Sequence, residues 1–157
     1  MRIAVISDTH GMVGFAISKL RTMGKFDLIL HLGDYCRDAE VISEKLNVKS
    51  IIVKGNGDIG TIYNEDEFIE VGGKKIFLTH GHRYGVHRNM NNLYYRGLEL
   101  GADIILYGHT HVPLILKENG IIIMNPGSPT NPRGLEGKLT FGLIEIGENI
   151  EFNIIEI

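Results

Sequence analysis

Residues 2–32 read RIAVISDTHGMVGFAISKLRTMGKFDLILHL. Two short apolar runs, Arg2–Ser7 and Asp27–Leu32, read as buried strands. Between them, Val13–Met23 carries Phe15, Ile17, Leu20 and Met23 at roughly helical spacing, and Gly24 supplies a stop. The alternation continues with a predicted helix over Asp38–Leu46 and a strand over Ser50–Lys54. A β-α-β-α-β order predicts parallel strands joined by right-handed crossovers.

The second half changes character. Glu67–Val71 and Lys75–Thr79 flank Gly72-Gly73, a hairpin signal. Asn89–Leu100 reads as a helix ended by Gly101. Five further strands are predicted over Asp103–Tyr107, Val112–Lys117, Gly120–Asn125, Thr140–Ile146 and Ile150–Ile155. So many strands with three helices predict an α/β fold of two packed sheets with helices outside.

Size and composition narrow the class. A chain of 157 residues predicts one domain over residues 1–157, with no repeat or linker-like stretch. The net charge of −3 gives no electrostatic reason to expect nucleic acid or an anionic membrane as partner. Cys36 is the only cysteine, so no intrachain disulfide is available and a reducing compartment is expected. The apolar run before Asp8 is too short for a leader's core or a membrane span. A cytoplasmic protein is the expectation.

The polar residues fall in one kind of place. RIAVIS ends in Asp8-Thr9-His10, DLILHL in Gly33-Asp34 and SIIVK in Gly55-Asn56. KKIFLT ends in His80, and DIILY in Gly108-His109-Thr110-His111. Five apolar strands thus deliver metal-binding atoms just past their carboxyl ends, the edge where ligands bind in open α/β sheets. In extended chain, residues two apart point to the same side, so His109 and His111 can converge. Taken singly, Asp34 and Asn56 beside glycine mark turns, and Asp8 caps a helix. Taken together, Asp8, His10, Asp34, Asn56, His80, His109 and His111 are too many side chains of this mixture for one ion and suit two. Imidazole, carboxylate and amide oxygen without thiolate favour Mn²⁺, Fe²⁺ or Zn²⁺ over a structural zinc. Two divalent cations outweigh Asp8, Asp34 and a bridging hydroxide by about one positive charge, a seat for a phosphate ester. Metal-bound water, ionising near pH 7, then supplies a nucleophile without serine or cysteine.

GNGDIG, residues 55–60, matches the dinucleotide fingerprint, but that motif must open a helix. The next eleven residues, TIYNEDEFIEV, are acidic and β-leaning, so the match is set aside.

DTH, GD, GN, the HG of THGH and GHTH, in this order, resemble the calcineurin-like metallophosphoesterase superfamily. Chain length, Gly-Asn-x-Asp and the late NPGS stretch look most like its small bacterial and archaeal phosphodiesterase branch. The resemblance spans Asp8 to about Arg133 and implies a four-layer αββα sandwich of two mixed sheets with a dinuclear centre. It implies two divalent ions, Mn²⁺ first, with Fe, Zn, Ni or Mg as substitutes. The first would take Asp8, His10, Asp34 and His111. The second would take Asp34, Asn56, His80 and His109. Many relatives carry a histidine after the asparagine, thought to assist the leaving group; here that position is Gly57. His82 is the candidate to stand in as the catalytic proton donor, and Asn56, Arg83 and Arg133 are candidate substrate contacts. Within NPGSPTNPR, Asn125 and Ser128 read first as turn residues, and His31 as a buried neighbour of the site.

The resulting reading is a metal-dependent phosphodiesterase attacking a small phosphodiester with a bridging hydroxide. A phosphomonoesterase and a non-catalytic scaffold resembling a retromer subunit are the alternatives. A homo-oligomer stays open, with Tyr94, Tyr95 and Arg96 as an available surface.

Overall fold

Strand β1 (Arg2–Ile6) is apolar on both faces because it is covered on both. Ile3 and Val5 point between two sheets, where they meet Ile76, Leu78, Ile104 and Leu106. Ala4 and Ile6 point outward, under Ile17, Leu20 and Ile42 of helices α1 (Gly14–Thr22) and α2 (Cys36–Leu46). The same alternation runs through β2 (Leu28–His31), with Leu28 and Leu30 inside and Ile29 beneath the helices. Each such fully buried Ile or Leu contributes about 1.5–3 kcal/mol relative to exposure.

The computed structural model describes residues 1–157. The remaining elements are β3 (Ser50–Ile52), β4 (Asp66–Val71), β5 (Lys74–Thr79), α3 (Asn91–Leu100), β6 (Ile104–Leu106), β7 (Leu114–Glu118), β8 (Ile121–Asn125), β9 (Thr140–Ile146) and β10 (Ile150–Glu156). One sheet has the order β10-β9-β1-β2-β3, the other β4-β5-β6-β8-β7. β1, β2 and β3 are parallel, as are β5, β6 and β8, while the flanking strands are antiparallel. Helix α3 lays Leu93 on the outer face of the second sheet, against Phe77 and Ile105. The layers are helix, sheet, sheet, helix, the αββα sandwich that the sequence motifs imply.

Local chemistry explains the turns. Gly72 and Gly73 both have positive φ in the two-residue loop between Val71 and Lys74, the backbone a tight hairpin of this twist requires. After GNGDIG no helix opens, so the dinucleotide motif fails on structural grounds as well.

Helix α2 departs from the sequence reading. It begins at Cys36, two residues before the expected Asp38. Its first free N–H groups, on Tyr35 and Cys36, donate to Asp58 Oδ1 at 2.9 and 2.7 Å, and Gly55 N donates to Asp58 Oδ2 at 2.9 Å. The helix is therefore capped by a carboxylate more than twenty positions away, which no local signal announces. Asp38 turns instead to accept from Gly11 N at 2.7 Å. Burial alone would raise the Asp58 pKa, but the backbone donors outweigh it and hold it below the usual carboxylate value.

Replacing Asp58 by alanine orphans three N–H groups and is expected to cost about 1–3 kcal/mol in urea unfolding, with Asp58→Asn costing less. Because the folded-state pKa is depressed, this stabilisation is present above pH about 4 and is lost as pH falls through the lower folded value. Acid titration of the unfolding midpoint in the two proteins measures it.

Candidate metal centre

The carboxyl ends of β1, β2, β3, β5 and β6 all open on one edge of the sandwich, and the candidate ligands follow each at once. The segments bearing them are not extended, contrary to the expectation for the two-apart pairs. Asp8, His10, Asp34, His109 and His111 have φ of 58°, 46°, 55°, 68° and 58°, all in the left-handed region. Such bends aim alternate side chains into the cleft within two to five residues of a strand's end. Asp and His tolerate this region better than branched residues, yet each such residue costs on the order of 1 kcal/mol or more. Five of the eight non-glycine residues with positive φ are ligand candidates, and a sixth, Tyr35, is adjacent to one, which marks a site whose geometry is imposed by its surroundings.

Hydrogen bonds fix which ring nitrogens face the cleft. His80 Nδ1 lies 2.7 Å from the Leu32 carbonyl oxygen and His111 Nδ1 lies 2.6 Å from that of Asn131. A carbonyl only accepts, so both rings carry their proton on Nδ1 and present a bare Nε2 when neutral. His80 Nε2 then faces His109 Nδ1 at 3.2 Å, Asp34 Oδ1 at 3.5 Å and Asp8 Oδ1 at 3.9 Å. His111 Nε2 faces Asp8 Oδ1 at 3.1 Å and His10 Nε2 at 3.4 Å. Asp8 is wholly buried and its Oδ1 makes no hydrogen bond. With both rings neutral, the His80 and His111 lone pairs point at carboxylate lone pairs. Either protons or cations must lie among them.

Charge responds accordingly. Burial opposes ionisation of Asp8, but His111 and His80 outweigh it and its pKa is lowered. Burial likewise opposes charge on His111, yet the Asp8 carboxylate prevails and its pKa is raised. His109 is pushed down to about 4 by burial and by His80 and His87, leaving it neutral and free to ligate near pH 7. Two ligand triads emerge, Asp8 with His10 and His111, and Asp8 with Asp34 and His80, each within 4.8 Å. Asp8 lies in both. The donor set fits divalent cations: anionic and imidazole atoms, buried, convergent and short of donors.

The remaining candidates are less uniform. Asn56 is exposed, but its neighbours grip the site: Gly57 N donates to Asp34 Oδ1 at 2.9 Å, and a side chain at Gly55 would collide with the same carboxylate. His82 sits on a single 3-10 turn, His82–Tyr84, with its ring 5.4 Å from that of His80. Its Nδ1 is buried without a partner, and burial with His80 lowers its pKa. Arg83 is exposed and paired with Glu65. Arg133 is exposed and near enough to His111 for its charge to be felt there.

Several supports were named in the sequence without their contacts, His31 as a buried neighbour and Asn125 and Ser128 as turn residues, while Thr130 and His87 carried no signal. Ser128 and Thr130 hydroxyls donate to the Asp8 carbonyl at 2.8 and 3.2 Å, and Asn125 Nδ2 donates to the Gly108 carbonyl at 2.8 Å. The NPGSPTN loop therefore ties the β1 loop to the β6 loop. His87, exposed, stands edge-on to His109 at 4.5 Å between ring centroids. His31 accepts from Gly33 N on Nδ1 and donates from Nε2 to the Thr9 hydroxyl at 3.3 Å, which in turn donates to the Asp34 carbonyl. Carbonyl acceptors carry no sequence signal, and a lone histidine carries little.

An αββα sandwich whose two sheets jointly gather carboxylates and imidazoles at one edge defines a metallophosphoesterase-type protein. The calcineurin-like phosphoesterase superfamily domain matches residues 1–149, and the chain belongs to that family. It is 36% identical over 138 residues to the probable metallophosphoesterase YsnB of Bacillus subtilis, covering 85% of this chain and 78% of that one. It is 29% identical to the phosphodiesterase MJ0936 of Methanocaldococcus jannaschii, covering 81% and 83%. Among solved structures, Entamoeba histolytica Vps29 complexed with Zn²⁺ superposes with a TM-score of 0.82 at 25% identity, covering 99% of both chains. No helix is long and apolar enough to cross a membrane.

His31 is fully buried, and burial pushes its pKa down to about 4. A depressed histidine pKa stabilises the fold above the unfolded value near 6.5, and this is lost as pH falls from there to about 4. Metal-free protein is expected to lose ~2–4 kcal/mol across that window through this group. His31→Gln should flatten the loss in pH-dependent urea titrations.

Proposed function

We propose that this chain is a phosphodiesterase acting on a small phosphodiester at a pair of divalent cations, Mn²⁺ foremost. The observation that carries the reading is the convergence of the His80 and His111 Nε2 atoms on Asp8 Oδ1, a buried carboxylate oxygen that makes no hydrogen bond. Asp8, His10, Asp34, Asn56, His80, His109 and His111 would hold the ions. When bound, such ions lower the pKa of water toward 7 and offset the charge of a phosphoryl group.

The protein's own part is positioning. Leu32 and Asn131 carbonyls set the His80 and His111 rings, and the Gly57 amide sets the Asp34 carboxylate. Arg133, exposed beside the cleft, offers a planar fork to phosphate oxygens. Gly57 offers no side chain to protonate a departing oxygen. His82 is nearest to that duty, and the lowered pKa that leaves it neutral makes it a weak donor at pH 7. The similar protein named a phosphodiesterase supports a diester over a monoester. The likeness to Vps29 keeps a second, non-catalytic reading in play, in which the same sandwich serves as a binding scaffold.

Hydrolysis of a bis-aryl phosphate and the matching aryl monoester, with and without Mn²⁺, separates these readings. Metal-stimulated turnover of the diester above the monoester is expected, falling about a hundredfold or more in Asp34→Asn. Turnover of neither ester would favour the scaffold. Within a diester series, rates should fall steeply as the leaving group's pKa rises; a flat series would show that a proton donor is in place.

A further inference from the structure

A cavity of about 360 Å³ lies between the start of α2 and the 57–63 loop. It adjoins the metal centre through two residues. Gly57 lines it while its N–H holds Asp34 Oδ1 at 2.9 Å, and Tyr35 lines it while its ring stands edge-on to His10 at 5.3 Å between centroids. Its other walls include Ile59, Ile62 and Tyr63. Ile59 and Ile62 are each 94% exposed, so neither side chain contributes burial to the fold. Isolated exposed apolar residues are ordinary, but here two of them share one cavity with two tyrosines. Arg37 also lines the space, and its guanidinium has no carboxylate within ion-pairing reach, although Glu40 of the same wall accepts from Tyr63.

We infer that this cavity seats an aromatic organic group of the phosphoester while its phosphorus lies at the metal centre. The inference rests on the phosphoesterase reading and specifies its substrate class: esters with a flat, apolar, ring-bearing group rather than a short alkyl one. The volume falls in the range of small-ligand sites, ~300–1,000 Å³, and exceeds the ~150 Å³ that encloses a benzene. Tyr35 and Tyr63 offer ring edges and faces, Ile59 and Ile62 close over the bound ring, and the unpaired Arg37 supplies a guanidinium plane for stacking. The absence of a side chain at Gly57 leaves the passage between cavity and centre open. A Cβ there would already stand 3.1 Å from Asp34 Oδ1.

Isothermal titration of the Mn²⁺-loaded protein with phenylphosphonate and methylphosphonate tests this without turnover. Phenylphosphonate is expected to bind at least about tenfold more tightly. In the double variant Ile59→Ser, Ile62→Ser the ratio should fall to within about twofold; both positions are exposed, so folding is not at stake. In the protein loaded with diamagnetic Zn²⁺ instead, amide NMR shifts at Gly57, Ile59 and Thr61 should follow phenylphosphonate and not methylphosphonate. Equal affinities in a protein that turns over diesters with Mn²⁺ would overturn this inference and leave the phosphodiesterase reading standing. Failure to bind either phosphonate, together with no turnover, would remove both. Loss of a dimer in the double variant, at an unchanged affinity ratio, would assign the patch to a second copy of the chain and overturn the inference.

Discussion

A buried carboxylate oxygen without a hydrogen-bond donor is the constraint around which this molecule is arranged. Asp8 sits at 0% exposure, its Oδ1 facing the bare nitrogens of His111 and His80. Such a group is costly unless positive charge accompanies it. Without metal, the lowered pKa of Asp8 and the raised pKa of His111 describe a proton filling that role. A divalent cation would fill it with more charge and more ligands. The surrounding strain has the same origin, because side chains from both sheets reach one point only if the main chain bends sharply where each strand stops.

The sandwich makes that convergence available. Two sheets with parallel centres, packed face to face, place the carboxyl ends of β1, β2, β3, β5 and β6 along a common edge. Helices cover the outer faces, so the central strands are apolar through their middles and place polar residues such as His31, Thr79 and Asn125 only at their carboxyl ends. Chemistry is displaced to the first residues beyond them. Fold and site are two results of one pattern of burial.

Much of this was legible in the sequence because double-sided burial writes itself as continuous apolar runs. RIAVIS, DLILHL and DIILY announce strands, and the residues directly after them announce the site. The features that stayed hidden depend on contacts between distant segments. The start of α2 at Cys36 is set by Asp58, which lies beyond the next strand. The orientation of His80 and His111 is set by the carbonyls of Leu32 and Asn131, and any residue type offers a carbonyl. The left-handed backbone at five candidate ligands was also unreadable, since neither Asp nor His demands it. The NPGSPTN stretch looked like an ordinary turn. Only its hydroxyl contacts with Asp8 and Thr9 reveal a clasp.

That clasp bears on how the centre would be loaded. Ser128 and Thr130 hold the loop of one sheet, Asn125 holds the loop of the other, and none of these bonds requires an ion. The loops that carry Asp8 and His109 are therefore held together by bonds of the polypeptide itself. In zinc-finger peptides capture of the ion is itself the folding event; here hydrogen bonds within the chain already tie the two ligand-bearing loops together. Binding of a divalent ion would then exchange protons and hydration for coordination between loops that are already tied.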